Sequence, residues 1–236
     1  NNNKFSKILE ELKKLPVISN LVKLTHFESD LSPTIIVMED IHHGRDFSKK
    51  SNYLSDLKKL ELLRQKLGIT LLGIEGLLNN YSNIKKMKDM IIGGEDWLIY
   101  TLLTSYKNKY ELIGLENPNN IIKEIPPIYS EEFIVNIMEK REQFATEIFL
   151  QEIKKKEKSI GILFYGKAHI DIYSRIVDIV RTEKQRIWLK KEVDRMIESQ
   201  EISSDVGIVA LLKLKGERIF GRKPNIIIIK IDDDAN

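Results

Sequence analysis

His42 and His169 each stand just past a run of aliphatic and β-branched residues, and carboxylates close or follow three such runs. Thr34 to Met38 leads into Glu39-Asp40-Ile41-His42-His43. Ile69 to Ile74 meets Glu75, Tyr110 to Leu115 meets Glu116, and Ile160 to Tyr165 leads through Gly166 to His169. Imidazoles exchange protons near neutrality and ligate metals, while carboxylates orient imidazoles, accept protons and bind hard cations. Gathered in one crevice, these groups would suit water activation. His42 and His169 are the leading candidates as general acid/base groups or metal ligands, with Glu75 and Glu116 completing the set. Either Glu39 or Asp40 fills the first acidic position. His43, beside His42, is a second-rank ligand, and His26 lies in a polar loop with a structural role. Two histidines with several hard carboxylates would suit manganese or zinc.

Clustered carboxylates repel one another unless a cation, metal or proton joins them. Arg141 supplies a cation, because it falls on the stripe formed by Ile134, Ile137, Met138, Ala145 and Ile148. A charge on an apolar helix face is costly unless paired, so the helix must deliver Arg141 to a carboxylate or an anionic ligand, the favoured reading, or let it snorkel out to solvent. Two glycines repeat at one offset, in Leu72-Gly73-Ile74-Glu75 and Ile113-Gly114-Leu115-Glu116. Strand alternation puts each glycine on the face of its glutamate, and glycine within a strand marks a bend or a close approach. The Gly166-Lys167-Ala168-His169 turn places His169 at a helix N-terminus, where backbone N–H groups would hold an anion or oxyanion. No Walker sequence, GxGxxG or serine nucleophile elbow is present.

The apolar runs are short, rich in β-branched residues and separated by helical patterns, which predicts buried parallel strands. Asn225 to Ile231 adds a fifth, so the expected fold is α/β, a mixed, mostly parallel sheet of about five strands flanked by helices. In open sheets of this kind the ligand crevice lies outside the carboxyl ends of the strands. Helical patterns run over Phe5 to Leu15, Lys49 to Leu67 and Ser130 to about Lys158, and from about His169 to Arg181. Shorter pieces cover Ile84 to Ile92 and Glu95 to Tyr106, and two more precede the last strand. Asn117 to Pro127 must be a loop, a lid or a plain connection. One domain is expected over 1–236, with an N-terminal helix (4–15), a motif-bearing core (34–181) and C-terminal helices and last strand (182–231).

A chain of 236 residues, 42% hydrophobic and 31% charged, can bury a full core and is not globally disordered. The balance of 38 basic and 35 acidic residues leaves +3, interspersed along helices instead of gathered into an arm, which argues against a nucleic-acid partner. The chain has no cysteine, which excludes disulfides, thiolate ligands and a cysteine nucleophile. No run approaches the roughly 20 apolar residues of a membrane span. No signal-peptide core follows Asn1 to Lys4, so a soluble cytoplasmic protein is expected, unless a targeting segment preceding Asn1 has been removed.

The stretches Ile36 to His43, Leu72 to Gly76, Ile113 to Glu116, Lys140-Arg141 and Tyr165 to His169, in this order, resemble a particular superfamily. It joins TraB/TIKI-type proteases, ChaN-like haem-uptake proteins and erythromycin esterases. The likeness spans residues 36 to 169. Met38 stands where a glycine is usual, and the glycine usual after the late histidine is missing. The resemblance implies a mixed α/β fold and a hydrolase acting on a small-molecule or peptide substrate, protease- or esterase-like. Its TIKI-like branch implies a divalent metal such as manganese, and its esterase-like branch metal-free activation of water by histidine. In either, Arg141 would hold a substrate carboxylate or an oxyanion. The ChaN-like alternative, a haem or small-ligand binding protein without turnover, ranks second, because no aromatic cluster lies near the motifs. A third reading makes the cluster a structural ion-pair network.

Overall fold

The computed structural model describes residues 4–15, 18, 22–40, 50–79, 102, 105–106, 108–120, 131–166, 169–170, 182–200 and 207–230. Among them, helices α1 (Lys4–Lys13), α2 (Lys50–Leu67), α3 (Glu131–Lys155), α4 (Glu183–Glu198) and α5 (Ile208–Phe220) accompany one sheet. Its strands are β1 (Val22–His26), β2 (Thr34–Asp40), β3 (Leu71–Leu78), β4 (Glu111–Glu116), β5 (Ile160–Gly166) and β6 (Asn225–Ile229). They lie in the order β1-β6-β2-β5-β3-β4, all parallel except β1, which pairs antiparallel with β6.

Both faces of the sheet are covered, which is why its central strands read as unbroken apolar runs. Ile36, Met38, Ile74 and Phe164 point towards α1 and α2, meeting Phe5, Leu12, Leu60 and Leu63. Ile35, Val37, Leu163 and Ile228 point the other way, towards Phe149 and Ile153 of α3 and Leu212 of α5. The chain moves from β2 to β3 over the first face and from β4 to β5 over the second. These opposite moves put a helix on each face with one handedness of crossover. The carboxyl ends of β2 and β5, which are neighbours, therefore send the chain in opposite directions, the arrangement that opens a crevice.

Several boundaries differ from the sequence reading. An unexpected strand, β1, takes His26 at its end, so the expected polar connection begins at Phe27; Leu24 and its neighbours pair with the isoleucines of β6. His26 meets Glu28 at 3.3 Å. The helix α3 stops at Lys155 because Glu157 turns left-handed (φ 51°). Lys158 N–H then bonds Ile153 O and Glu157 N–H bonds Lys154 O, a C-terminal cap that ends a helix three residues before its charge pattern does. Pro118–Asn120 forms a single 3-10 turn within the expected loop. The rest of that loop, the expected helical pieces over 84–92 and 95–101, the N-cap Ser130 and most of the helix expected after His169 lie outside the described residues. No described helix is long and apolar enough to cross a membrane.

The two glycines of the repeated pattern answer different close approaches. A Cβ on Gly73 would lie 2.7 Å from Cδ2 of Phe149, so glycine lets α3 settle onto β3. A Cβ on Gly114 would run into the backbone of Leu78 and Asn79. At the amino edge of the sheet, Glu111 takes hydrogen bonds from Lys158 (2.5 Å) and Thr70 (3.1 Å) and meets Lys156 at 3.1 Å. The Lys158 hydrogen bond, with help from Lys156 and Thr70, draws the Glu111 carboxyl down to about 2.

Two outcomes follow from this packing. Gly73→Ala should cost about 1–3 kcal/mol by overpacking against a ring that has nowhere to move, and Gly114→Ala more, since backbone must yield, both read by urea denaturation. Because the folded carboxyl of Glu111 lies below its ordinary 4.5, its stabilisation is present above that pH and lost as pH falls towards 2. Glu111→Gln should therefore flatten the acid limb of a stability–pH curve within that window.

Candidate functional site

β3 does not end at Glu75. Its pairing with β4 runs from Leu71↔Glu111 to Ile74↔Gly114, then resumes at Leu78↔Glu116, so four residues on β3 advance against two on β4. The extra residues form a bulge around Glu75-Gly76-Leu77, with Gly76 at φ 81°, a left-handed conformation that glycine adopts without steric cost. The bulge turns the Gly76 N–H onto Glu116 Oε1 (3.2 Å), and Glu75 takes the Gly166 N–H of β5 on Oε2 (2.6 Å). Backbone donors expected to hold a ligand anion thus include one that already holds the protein's own carboxylate.

Arg141 of α3 bridges the two acids. Its Nη2 donates to Glu75 Oε1 at 3.0 Å and to Glu116 Oε1 at 2.5 Å, and its Nε donates to Glu116 Oε2 at 3.0 Å. Burial opposes the guanidinium charge, but the hydrogen bond and charge of Glu116, and then the charge of Glu75, raise its pKa above the ordinary value. The guanidinium is therefore charged at any physiological pH. Nη1 makes no hydrogen bond with a described residue, and the side chain keeps 27% of its exposure, whereas Glu75 and Glu116 are buried.

Over its described side chains, from Glu139 onward, the buried face of α3 is not centred on Arg141. Glu142, Ala145, Thr146, Phe149, Leu150 and Ile153 are the buried residues there, and Arg141 sits at the edge of that face. Successive helical residues point roughly 100° apart, so Arg141 and Glu142 reach different strands. Glu142 Oε1 lies 2.8 Å from His169 Nδ1, which carries the proton of that hydrogen bond. His169 Nε2 then faces Glu75 Oε1 at 3.6 Å, beyond hydrogen-bond reach. The Tyr165 ring meets the imidazole edge-on, with centroids 5.1 Å apart.

Four of the expected residues are thereby brought together: Glu75, Glu116, Arg141 and His169. Glu39 is buried on β2, opposite Tyr165 in register and, by alternation, on the same face as Ile35 and Val37 towards α3 and α5. Asp40 is described by its backbone pairing with Gly166. His42 and His43 lie outside the described residues. Two members escaped the sequence reading, Glu142 and Tyr165. Glu142 had a signal, since Ala145, Phe149 and Ile153 follow it at i+3, i+7 and i+11. Tyr165 had none, because a tyrosine within an apolar run reads as core.

The expected metal site is described only in part, since His42, His43 and the side chain of Asp40 lie outside the described residues. Among the described residues no three His, Asp or Glu side chains are arranged to hold a metal ion. The place a cation would take between Glu75 and Glu116 is filled by Arg141, and His169 Nδ1 is engaged by Glu142. Haem needs a broad apolar platform, and this cluster presents carboxylates and a guanidinium. No family model, curated protein or solved structure matches this chain.

Removing the cation tests how far the cluster depends on it. Arg141→Met leaves two buried carboxylates facing each other and should cost roughly 3–5 kcal/mol, the range for breaking a buried ion pair. Urea unfolding at neutral pH checks this, and the triple variant that adds Glu75→Gln and Glu116→Gln to Arg141→Met should recover most of the loss.

Proposed function

We propose that the chain is a hydrolase, protease- or esterase-like, in which His169 activates water at the carboxyl edge of the sheet. The observation that carries this reading is the pinning of His169. Its Nδ1–H is fixed on Glu142, so the imidazole has one orientation and its Nε2 is left uncommitted towards Glu75. A carboxylate-oriented imidazole with one open nitrogen is the arrangement of a general base.

Water held between His169 Nε2 and Glu75 would pass its proton to Nε2 as it attacks. Glu142 would stabilise the imidazolium that forms. Arg141 Nη1, the guanidinium nitrogen without a hydrogen bond to a described residue, would meet negative charge developing on the substrate. Glu75 and Glu116 would act through Arg141 and His169 by holding them in place. Glu39 borders the same face beside Tyr165.

The decisive experiment is turnover of p-nitrophenyl esters and fluorogenic peptides by wild type, His169→Gln and Glu142→Gln. His169→Gln should lower kcat by about 10²–10⁴, the usual contribution of a general base. Glu142→Gln should cost about 10–100-fold, the usual effect of losing an orienting partner. A wild type that turns over neither class, while both variants lose stability, would make the cluster a structural ion-pair network. Turnover abolished by EDTA and restored by manganese would move water activation from His169 to a metal.

A further inference from the structure

Tyr165 carries a buried hydroxyl that no hydrogen bond satisfies. Such groups are rare in folded proteins, since burial strips their water and the structure normally supplies a partner. The phenol is fully enclosed and lies at the crevice end of β5, one residue before Gly166 and across the strand pair from Glu39. The charges that act on it are those of Glu75, Glu116, Arg141 and Glu142, two of which, Glu75 and Glu142, also face His169. Its ring packs edge-on against the His169 imidazole.

The other donors around it are committed. Arg141 Nε and Nη2 serve Glu116 and Glu75, the Gly166 N–H serves Glu75, the Gly76 N–H serves Glu116, and His169 Nδ1 serves Glu142. Among the described residues of the cluster, two donors remain without a hydrogen bond, Arg141 Nη1 and Tyr165 Oη. Burial, reinforced by Glu75 and Glu116, pushes the phenol well above its ordinary pKa, so it remains a donor and not an acceptor anion.

We infer that Tyr165 Oη is a catalytic residue, the second hydrogen-bond donor beside Arg141 Nη1 for the oxyanion of an uncharged acyl substrate, an ester or amide. The inference rests on the hydrolase reading and narrows it. Water attacks the acyl carbon, forming a C–O bond and giving its proton to His169 Nε2. The carbonyl electron pair moves onto oxygen, where Tyr165 and Arg141 donate to it. On collapse the C=O re-forms, the bond to the leaving oxygen or nitrogen breaks, and the leaving group takes the proton from His169. The products are a carboxylic acid and an alcohol or amine. A phosphate ester would bring permanent negative charge against Glu75, Glu116 and Glu142, and Arg141 is already shared between two of them. A neutral carbonyl becomes anionic only in the transition state, where enclosed donors act most strongly.

Tyr165→Phe tests this with p-nitrophenyl acetate, p-nitrophenyl butyrate and p-nitrophenyl phosphate. The expected result is a fall in kcat on the esters of about 10²–10³, the effect of removing one oxyanion donor, with KM within about 2-fold. Phosphate turnover should be at background. The thermal midpoint should stay level or rise, because the hydroxyl removed has no partner in the folded state. A lower midpoint overturns the proposal, since the hydroxyl then has a structural bond, and so does an unchanged kcat or a phosphate preferred over the esters. If His169→Gln loses turnover while Tyr165→Phe keeps it, the tyrosine's role falls and the hydrolase reading stands. No turnover by wild type overturns both.

Discussion

The structure depends on one constraint: Glu75, in the bulge of β3, and Glu116, at the end of the adjacent β4, are buried and need a cation between them. Two carboxylates removed from water repel each other and lose their hydration, and in low dielectric both costs are large. Arg141 meets them with three hydrogen bonds from two nitrogens, and in doing so fastens α3 across β3 and β4. The helix is rigid, so fixing Arg141 also fixes Glu142, one residue further along and about a quarter-turn around. Glu142 then fixes His169, which lies past the end of β5. One ion-pair bridge on α3 therefore sets the position of groups from three strands.

The backbone is shaped to the same end. Gly76 lets β3 bulge at the point where Glu75 must turn towards α3, and its freed N–H meets Glu116. Gly114 leaves room for the bulged strand to pass, and Gly73 leaves room for Phe149. Bulges beside functional sites commonly re-aim a side chain. The amino edge of the sheet is built differently. There Glu111, Lys156 and Lys158 form a partly exposed network that joins β4 to the end of α3. Such screened pairs add little stability apiece.

Much of this was legible in the sequence, for reasons particular residues show. Strands buried on both faces need uninterrupted apolar runs, so Thr34 to Met38, Ile160 to Tyr165 and Asn225 to Ile229 declared themselves. Arg141 among apolar neighbours pointed to a carboxylate, and it has two. The strand β1 did not declare itself: Val22-Lys23-Leu24-Thr25 alternates as an edge strand with one apolar face does, but over too few residues to stand out from the polar stretch that follows. The bulge was hidden as well: Gly76 after Glu75 reads as a loop glycine until a neighbouring strand is seen to resume pairing beyond it.

Composition and periodicity by themselves determined the α/β class, the parallel core strands, and a set of acids and histidines at their carboxyl ends. These follow from local rules, since side-chain spacing and burial act within a few residues of one another. Only the tertiary structure decided which of these groups meet. It shifted the buried stripe of α3, over its described side chains, from Arg141 to Glu142, gave His169 an orienting carboxylate, and enclosed the Tyr165 hydroxyl without a partner among the described residues. Hydrogen bonds between residues 25 to 91 positions apart depend on how helices seat against a twisted sheet, and no local pattern encodes that seating.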